Sequence, residues 1–451
     1  MFFCSQKLTE LTGADCFILA LSRMMKRQGN HGHVGQTHLR LEGIPDIAAL
    51  CRGAVSFGEA NPLLDAFVRR NPLTLIPSWR IGRKPSGQLL PNLWHEKGAV
   101  RQTGIDSSEI ESAQHLAEEL LNRPLDGSGG VRNLRLDLIL LQGGGSTLLL
   151  TWNHLLFDGK GAELLVGYLM EAMNGSPSIP QLSPPEPNLP IKVQLEKAKP
   201  AVDRFFNLIG NQYRCLANPQ TKAGKLRYRL LHFSQEESEA IRQRAVDYSG
   251  LFSVGFYLAC AARAHRQVFL SRREDPTHYV SSIPVQVRKK GGRKDPFQNR
   301  VTVLFFSLMR EDLESLQTAS QVAMVQFEEL TRLDLGTSFS MILRLMRRLP
   351  SLFYMRFLGT QFSGNITSFF HSATGPFAVE LDECCGTRII DAYHIPSVSA
   401  PPGSGLFFGE SHGRLIATFT WREGAATEAE ANLVLETVTR DLLGAPSPCS
   451  R

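Results

Sequence analysis

The stretch from residue 134 to residue 159, LRLDLILLQGGGSTLLLTWNHLLFDG, decides how the rest of the chain is read. Leu134, Leu136, Leu138 and Leu140 alternate with other residues, which is the two-residue period of a strand. Three glycines, 143–145, permit a tight turn. Residues 147–153 (TLLLTWN) run back as a second strand, with too few polar side chains to face water. The hairpin delivers His154 to its end. Asp158 follows four residues later, then Gly159. Residues 160–173 then read as a helix with Ala162, Leu165, Val166, Leu169 and Met173 on one face. Asn174-Gly175 stops it.

A histidine at a strand end, beside a helix N-terminus, faces a cleft more often than a core. Its unperturbed pKa suits proton abstraction near neutral pH. Asp158 can hold the turn by a local hydrogen bond or an arginine contact. Gly159 allows a backbone conformation that other residues resist. Short motifs recur by chance, and the chain has 12 histidines. What weighs against a merely structural histidine is the placement, at a hairpin end and ahead of an amphipathic helix.

Working outward, residues 34–41 read as a strand and 46–70 as a helix. Asp106 followed by Glu109 resembles a capping box for a helix to about Leu121. Residues 176–190 (SPSIPQLSPPEPNLP) hold six prolines, a semi-rigid linker. They divide the chain into a first lobe, 1–175, a linker, 176–200, and a second lobe, 201–451. The second lobe opens with a strand near 226–233. Ser234 and Glu237 then cap a helix to about 248, and 253–269 looks like a buried helix. Strands are expected at 278–285 and 301–309, with a long helix at 311–333. The end reads as strands 387–395, 405–411 and 414–421, then a helix, 427–443. Hairpins mixed with helices argue for an α+β fold with layered sheets.

At 451 residues the chain exceeds one ordinary core. Its 43% hydrophobic and 20% charged residues are globular composition. The net charge of +6 is modest and spread along the chain, so nucleic acid is not expected. An anionic ligand, an acidic partner protein or a membrane surface is compatible with it. No stretch of ~18 apolar residues exists, and the first residues lack the pattern of a signal peptide. The eight cysteines form no CxxC pair, so reduced thiols and a cytoplasmic location are expected. Cys384 and Cys385 read as small buried residues rather than a redox pair. His31 and His33 lack a third ligand and read as loop residues, and no metal site is expected. Residues 288–294 (RKKGGRK) read as a solvated loop, with an alternative of meeting CoA phosphates or an acidic carrier protein. Residues 341–357 read as a packed amphipathic helix broken at Pro350, with a lipid tunnel or peripheral membrane contact as the alternative.

The segment TWNHLLFDGKGAELLVGYL (151–169) resembles the active-site signature of the chloramphenicol acetyltransferase-like, CoA-dependent acyltransferase superfamily. That group includes peptide-synthetase condensation domains, wax ester synthase/diacylglycerol acyltransferases and alcohol acyltransferases. Many members carry HHxxxDG; here Asn153 takes the first place and His154 the second, catalytic one. Looser likenesses run through LNRPLDGSGGVRNLRLDLILL (121–141), YVSSIPVQVRKK (279–290), FQNRVTVLFFSL (297–308) and GLFFGESHGRLIATFTW (405–421). In the second and third of these a Pro-Val…Arg is followed by an Asn.

The resemblance implies two similar lobes, each a mixed sheet flanked by helices, with the active-site channel between them. Donor and acceptor enter from opposite faces. His154 deprotonates a hydroxyl or amine, which attacks a thioester without a covalent acyl-enzyme. Asp158 is then structural and pairs with an arginine, with Arg80 of IPSWRIG as the first candidate and Arg288 as the second. Ser372, within SGNITSFFHSATGP, is a candidate oxyanion or substrate contact, as is Asn153. No bound cofactor is implied beyond the co-substrate, an acyl-CoA or a phosphopantetheine thioester. The partners implied are a small-molecule acceptor and the thioester, with an acyl carrier protein as the alternative donor, on a monomer. Two rival readings stand: a carrier-fed, condensation-like enzyme making an amide or ester, and a non-catalytic binding module, which Asn153 keeps open.

Overall fold

A computed structural model describes residues 7–81, 87–99, 107–110, 112–125, 132–180, 189–209, 213–217, 223–288, 295–350, 353–354 and 367–444. The fold is α+β, with two lobes built on two large sheets and a small third sheet.

The first half of the chain contributes β1 (Lys7–Glu10), α1 (Gly13–Arg27), β2 (Val34–Leu41), α2 (Ile47–Ala60), β3 (Ala66–Arg70), β4 (Pro77–Ile81), β5 (Asn92–Glu96), β6 (Ser107–Ile110), α3 (Ala113–Leu121), β7 (Leu134–Leu140), β8 (Ser146–Asn153) and α4 (Gly159–Met173). The β7–β8 hairpin pairs Leu134 with Trp152 and Leu140 with Ser146, and Gly144 takes φ +88° in its turn. Its strands are nearly all apolar because both faces are covered. Leu136, Leu138, Leu148 and Leu150 pack with Leu165 and Leu169 of α4. Ile139 and Leu149 meet Leu116, Ala117 and Leu120 of α3 on the other face.

The second half contributes α5 (Ile191–Ile209), β9 (Leu226–His232), α6 (Gln235–Ser249), α7 (Val254–Ser271), β10 (His278–Gln286), β11 (Val301–Met309), α8 (Leu316–Arg332), α9 (Leu335–Met346), β12 (Phe369–Pro376), β13 (Glu383–Cys384), β14 (Thr387–Ile395), β15 (Ser404–Ser411), β16 (Arg414–Arg422) and α10 (Glu428–Leu443). Six of its strands form one sheet in the order β11-β10-β12-β15-β16-β9. Phe306, Phe369, Phe419 and Trp421 pack there against Phe256 of α7 and Val434 of α10.

The lobes do not follow the chain halves. The first sheet runs β13-β14-β2-β8-β7-β5-β6, so residues 383–395 complete it from the second half. β14 lies antiparallel to β2, with Ile395 opposite Gln36. A boundary at the proline linker therefore cuts across one sheet. Residues 181–188 of that linker lie outside the described residues.

Three element expectations are corrected. The helix expected over 46–70 ends at Ala60, because Asn61-Pro62 breaks it and residues 66–70 pair with β4 instead. The helix expected from Asp106 starts at Ala113. Ser112 caps it by accepting His115 N–H, and 107–110 pair in parallel with β5. Asp106 itself lies outside the described residues. The helix expected over 311–333 begins only at Leu316, under a Ser315 cap, after one 3₁₀ turn. Of the segment 341–357, α9 ends at Met346, and 351–352 and 355–357 lie outside the described residues.

Candidate active site

β8 ends at Asn153, and the next five residues form a turn that is clamped from the second lobe. Asp158 is the N-cap of α4, where its Oδ1 accepts Gly161 N–H at 2.8 Å. Arg288 Nη1 reaches both of its oxygens at 2.6 Å, and Arg300 N–H donates to Oδ2 at 2.8 Å. The pair is almost fully buried, with side chains 7% and 5% exposed. Gln298 N–H donates to Leu156 O, and Asn299 Nδ2 donates to His154 O at 3.0 Å. Asn299 is held in turn by Asp15 Oδ1, which accepts its main-chain and side-chain N–H at 2.8 and 2.9 Å. The loop over 295–300 thus fixes both ends of the turn that carries His154.

Burial pulls the His154 imidazole below the ordinary histidine pKa. Its own carbonyl, the Asp158 charge and Asn299 pull the other way without restoring it. The ring is therefore neutral near pH 7, the state a general base needs. Its ring packs edge to face against His33 at 4.5 Å and tilted against Trp152 at 5.4 Å. His154 N–H donates to His33 O. Trp152 Nε1 donates to Thr37 Oγ1 at 3.1 Å, which fixes the indole.

His154 opens on a cavity of about 280 Å³ whose wall includes Trp152, Lys160, Ser372, Phe377 and His394. Asp158 and Gly159 also border it. One side of the wall is a polar chain. His394 Nδ1 lies 2.8 Å from Thr37 Oγ1, and its Nε2 lies 3.2 Å from Glu163 Oε1. Glu163 is almost fully buried and holds Lys160 Nζ at 2.8 Å. The Glu163 carboxylate only accepts, so Nε2 carries the hydrogen of that contact, and Nδ1 is the nitrogen that accepts from the Thr37 hydroxyl.

The arrangement brings together His154, Asp158, Gly159, Arg288 and Ser372. It does not bring in Arg80, which lies on β4 in the three-stranded sheet, opposite Phe67. Asp158 is instead paired with Arg288, two residues past β10, where residues 295–300 also meet the turn: Gln298 O accepts from Arg288 and Arg300 N–H donates to Asp158. Asn153 is off the cavity wall. Its Nδ2 donates to Asn133 Oδ1 and its Oδ1 accepts Leu155 N–H, so it braces the turn rather than facing an oxyanion. Gly159 has no unusual φ, and a Cβ there would meet nothing within 4 Å. The glycine that the site requires is Gly161, where a Cβ would stand 2.2 Å from Pro296 O and 2.8 Å from Arg288 Nη2. Lys289 to Lys294 lie outside the described residues.

Three site residues escape a reading by spacing. His33, expected in a loop, is buried against His154 because it immediately precedes β2, whose Val34 pairs with Asn153. Glu163 and His394 meet across 231 residues. The only local sign of the first was a carboxylate on the apolar face of α4. Among the described residues no cluster of three or more His, Cys, Asp or Glu could hold a metal.

No protein-family model and no curated protein matches the sequence. Solved structures do. The first condensation domain of the CDA synthetase is 14% identical, with 98% of each chain covered and a TM-score of 0.66. The TRI3 trichothecene 15-O-acetyltransferase from Fusarium sporotrichioides is 12% identical over 96% of this chain and 95% of that one, with a TM-score of 0.71. A mutant starter condensation domain of rhizomide synthetase, in complex with C8-CoA and Leu-SNAC, is 14% identical over 96% and 93%, with a TM-score of 0.62. At these identities the likeness gives the fold, which is the two-lobed chloramphenicol-acetyltransferase-like one.

Proposed function

We propose that the chain is an acyltransferase that moves an acyl group from a thioester to a hydroxyl or amine, with His154 as the general base. One observation carries this reading: a neutral imidazole, locked by a clamp from the opposite lobe, opens on a largely apolar cavity that also presents a hydroxyl, Ser372. Histidine Nε2 takes the acceptor's proton as its oxygen or nitrogen attacks the thioester carbonyl. The tetrahedral intermediate carries its negative oxygen toward Ser372 Oγ. Collapse breaks the C–S bond, and the imidazolium returns the proton to the departing thiolate. Proximity and base catalysis suffice, with no acyl-enzyme. Asp158 and Arg288 hold the turn and take no proton.

The donor is an acyl-CoA or a phosphopantetheine thioester, and no other cofactor enters. The acceptor is a small molecule, the enzyme a cytoplasmic monomer. A carrier-fed, condensation-like reaction differs only in what presents the thioester. Supplying acyl-CoA and acyl-loaded carrier protein separately, and measuring free thiol release, distinguishes the two. His154→Ala is expected to lower turnover by at least ~10²-fold with the fold intact. Unchanged thiol release in that variant would sink the general-base mechanism, and no thiol release from the parent protein with either donor would make the non-catalytic binding reading, which Asn153 keeps open, the better one.

A further inference from the structure

Arg422, the last residue of β16, is 4% exposed. Its guanidinium donates only to neutral groups: Nε to Val398 O at 2.9 Å, Nη1 to Asn30 Oδ1 at 3.2 Å, and Nη2 to Ser397 Oγ at 3.3 Å. Among the described residues no carboxylate pairs with it, whereas Arg288, Arg263 and Arg272 each hold one. Burial alone pulls its pKa down, to about 10, which leaves it charged at neutral pH. A buried cation facing only neutral dipoles retains much of its desolvation cost.

Arg422 lines a second hollow, of about 330 Å³, between the lobes. Its walls include Asn30, His31 and Gly32 from the loop between α1 and β2, and Lys225 from the start of β9. Asn30 turns its oxygen to the guanidinium, which leaves Nδ2 buried and donating to nothing. Among the described residues three of the five guanidinium N–H groups have partners. Glu423 also borders the hollow, but Arg227 and Lys225 N–H occupy its oxygens. Arg422 and Asn30 both border this hollow, so a buried cation without a carboxylate and an amide N–H without a partner, among the described residues, stand side by side at its wall. The hollow touches Gly32 and Val34, the chain neighbours of His33, and His33 touches His154.

We propose that this hollow binds the anionic group, a phosphate or a carboxylate, of one of the two substrates, with Arg422 and Asn30 as its donors. The acyl-transfer reading enters only in saying that the ligand is a substrate; binding is measured without turnover. Calorimetric titration with 4′-phosphopantetheine against pantetheine tests the phosphate source, and lactate against lactamide tests the carboxylate source. In one of these pairs the anion should bind at least about 10-fold more tightly, the worth of a charge-assisted contact. Arg422→Met should erase that preference. Asn30→Asp supplies an internal counter-ion, so it should erase the preference too while raising Tm, which covers the case of an Arg422 variant that does not fold. Equal affinities within both pairs, or a preference that survives either substitution in folded protein, would overturn the proposal. Absent thiol release from both acyl-CoA and acyl-loaded carrier protein, with the anion preference intact, would count against the acyltransferase reading alone.

Discussion

Gly159 and Gly161 stand two residues apart at the start of α4 and have opposite tolerance for a side chain. A methyl group on Gly161 must displace Pro296 O or the Arg288 guanidinium, the groups that clamp the turn. Gly161→Ala is therefore expected to cost about 3 kcal/mol in urea unfolding, as overpacking does, and to lower activity with it. Gly159→Ala meets open space and should stay within about 0.5 kcal/mol of the parent. The HxxxDG spacing pointed to Gly159, since nothing local reveals that Pro296 arrives over Gly161. His154 was legible because a hairpin and a helix, both local patterns, bracket it. Choosing between Arg80 and Arg288 needed the path of the loop after β10, which local periodicity does not carry. His33 was passed over for the same reason. The pKa of His154 gives a further expectation. Because burial lowers it, the imidazole stays neutral below the usual titration of histidine. The acid limb of kcat/KM should fall below pH 6.5, and a limb at or above that value would show that the free-enzyme imidazole is not desolvated as described.

At the level of elements, β14 matters most. It covers the edge of β2, whose other side pairs with β8, the strand that carries His154. The residues just before β2 and just after β8 also bring His33 and His154 together. A fragment cut at the proline linker, residues 1–175, would expose eight residues of β2 as an unpaired edge. It would also lose the 295–300 clamp. That fragment is expected to aggregate, and co-expression with 176–451 to restore a soluble complex. A monomeric, cooperatively folded 1–175 in size-exclusion and thermal melts would contradict this. The linker's six prolines made the division look clean. The strand that crosses back reads as an ordinary β-segment, and its partner is fixed only by the assembled sheet.

Across the whole molecule the lobes are cross-linked by buried polar groups. Asp15 meets Asn299, Asp158 meets Arg288, and Glu118 meets Arg227. One cooperative transition is therefore expected, and its pH dependence follows from three buried histidines, His38 and His371 on strands of the large sheets and His265 on α7. His38 stacks on Tyr393, and burial pulls its pKa down to about 3. His265 stacks on Phe369, and His371 Nδ1–H donates to Leu406 O at 3.0 Å; burial pulls both to about 4. In the unfolded chain each titrates near 6.5. The unfolded state then binds protons first as pH falls, so stability is full above pH 6.5 and declines below it, toward pH 3–4. At pH 5 each ring costs roughly 2 kcal/mol, a large share of a stability of order 5–15 kcal/mol. Tm should therefore drop steeply between pH 6.5 and 4. Because desolvation rather than surface charge is the cause, added salt should not restore it. His265→Gln removes one titrating group, and its Tm-versus-pH curve should be shallower than the parent's over the same window. Parallel curves would locate the acid sensitivity elsewhere, in the carboxylates that hold the lobes together.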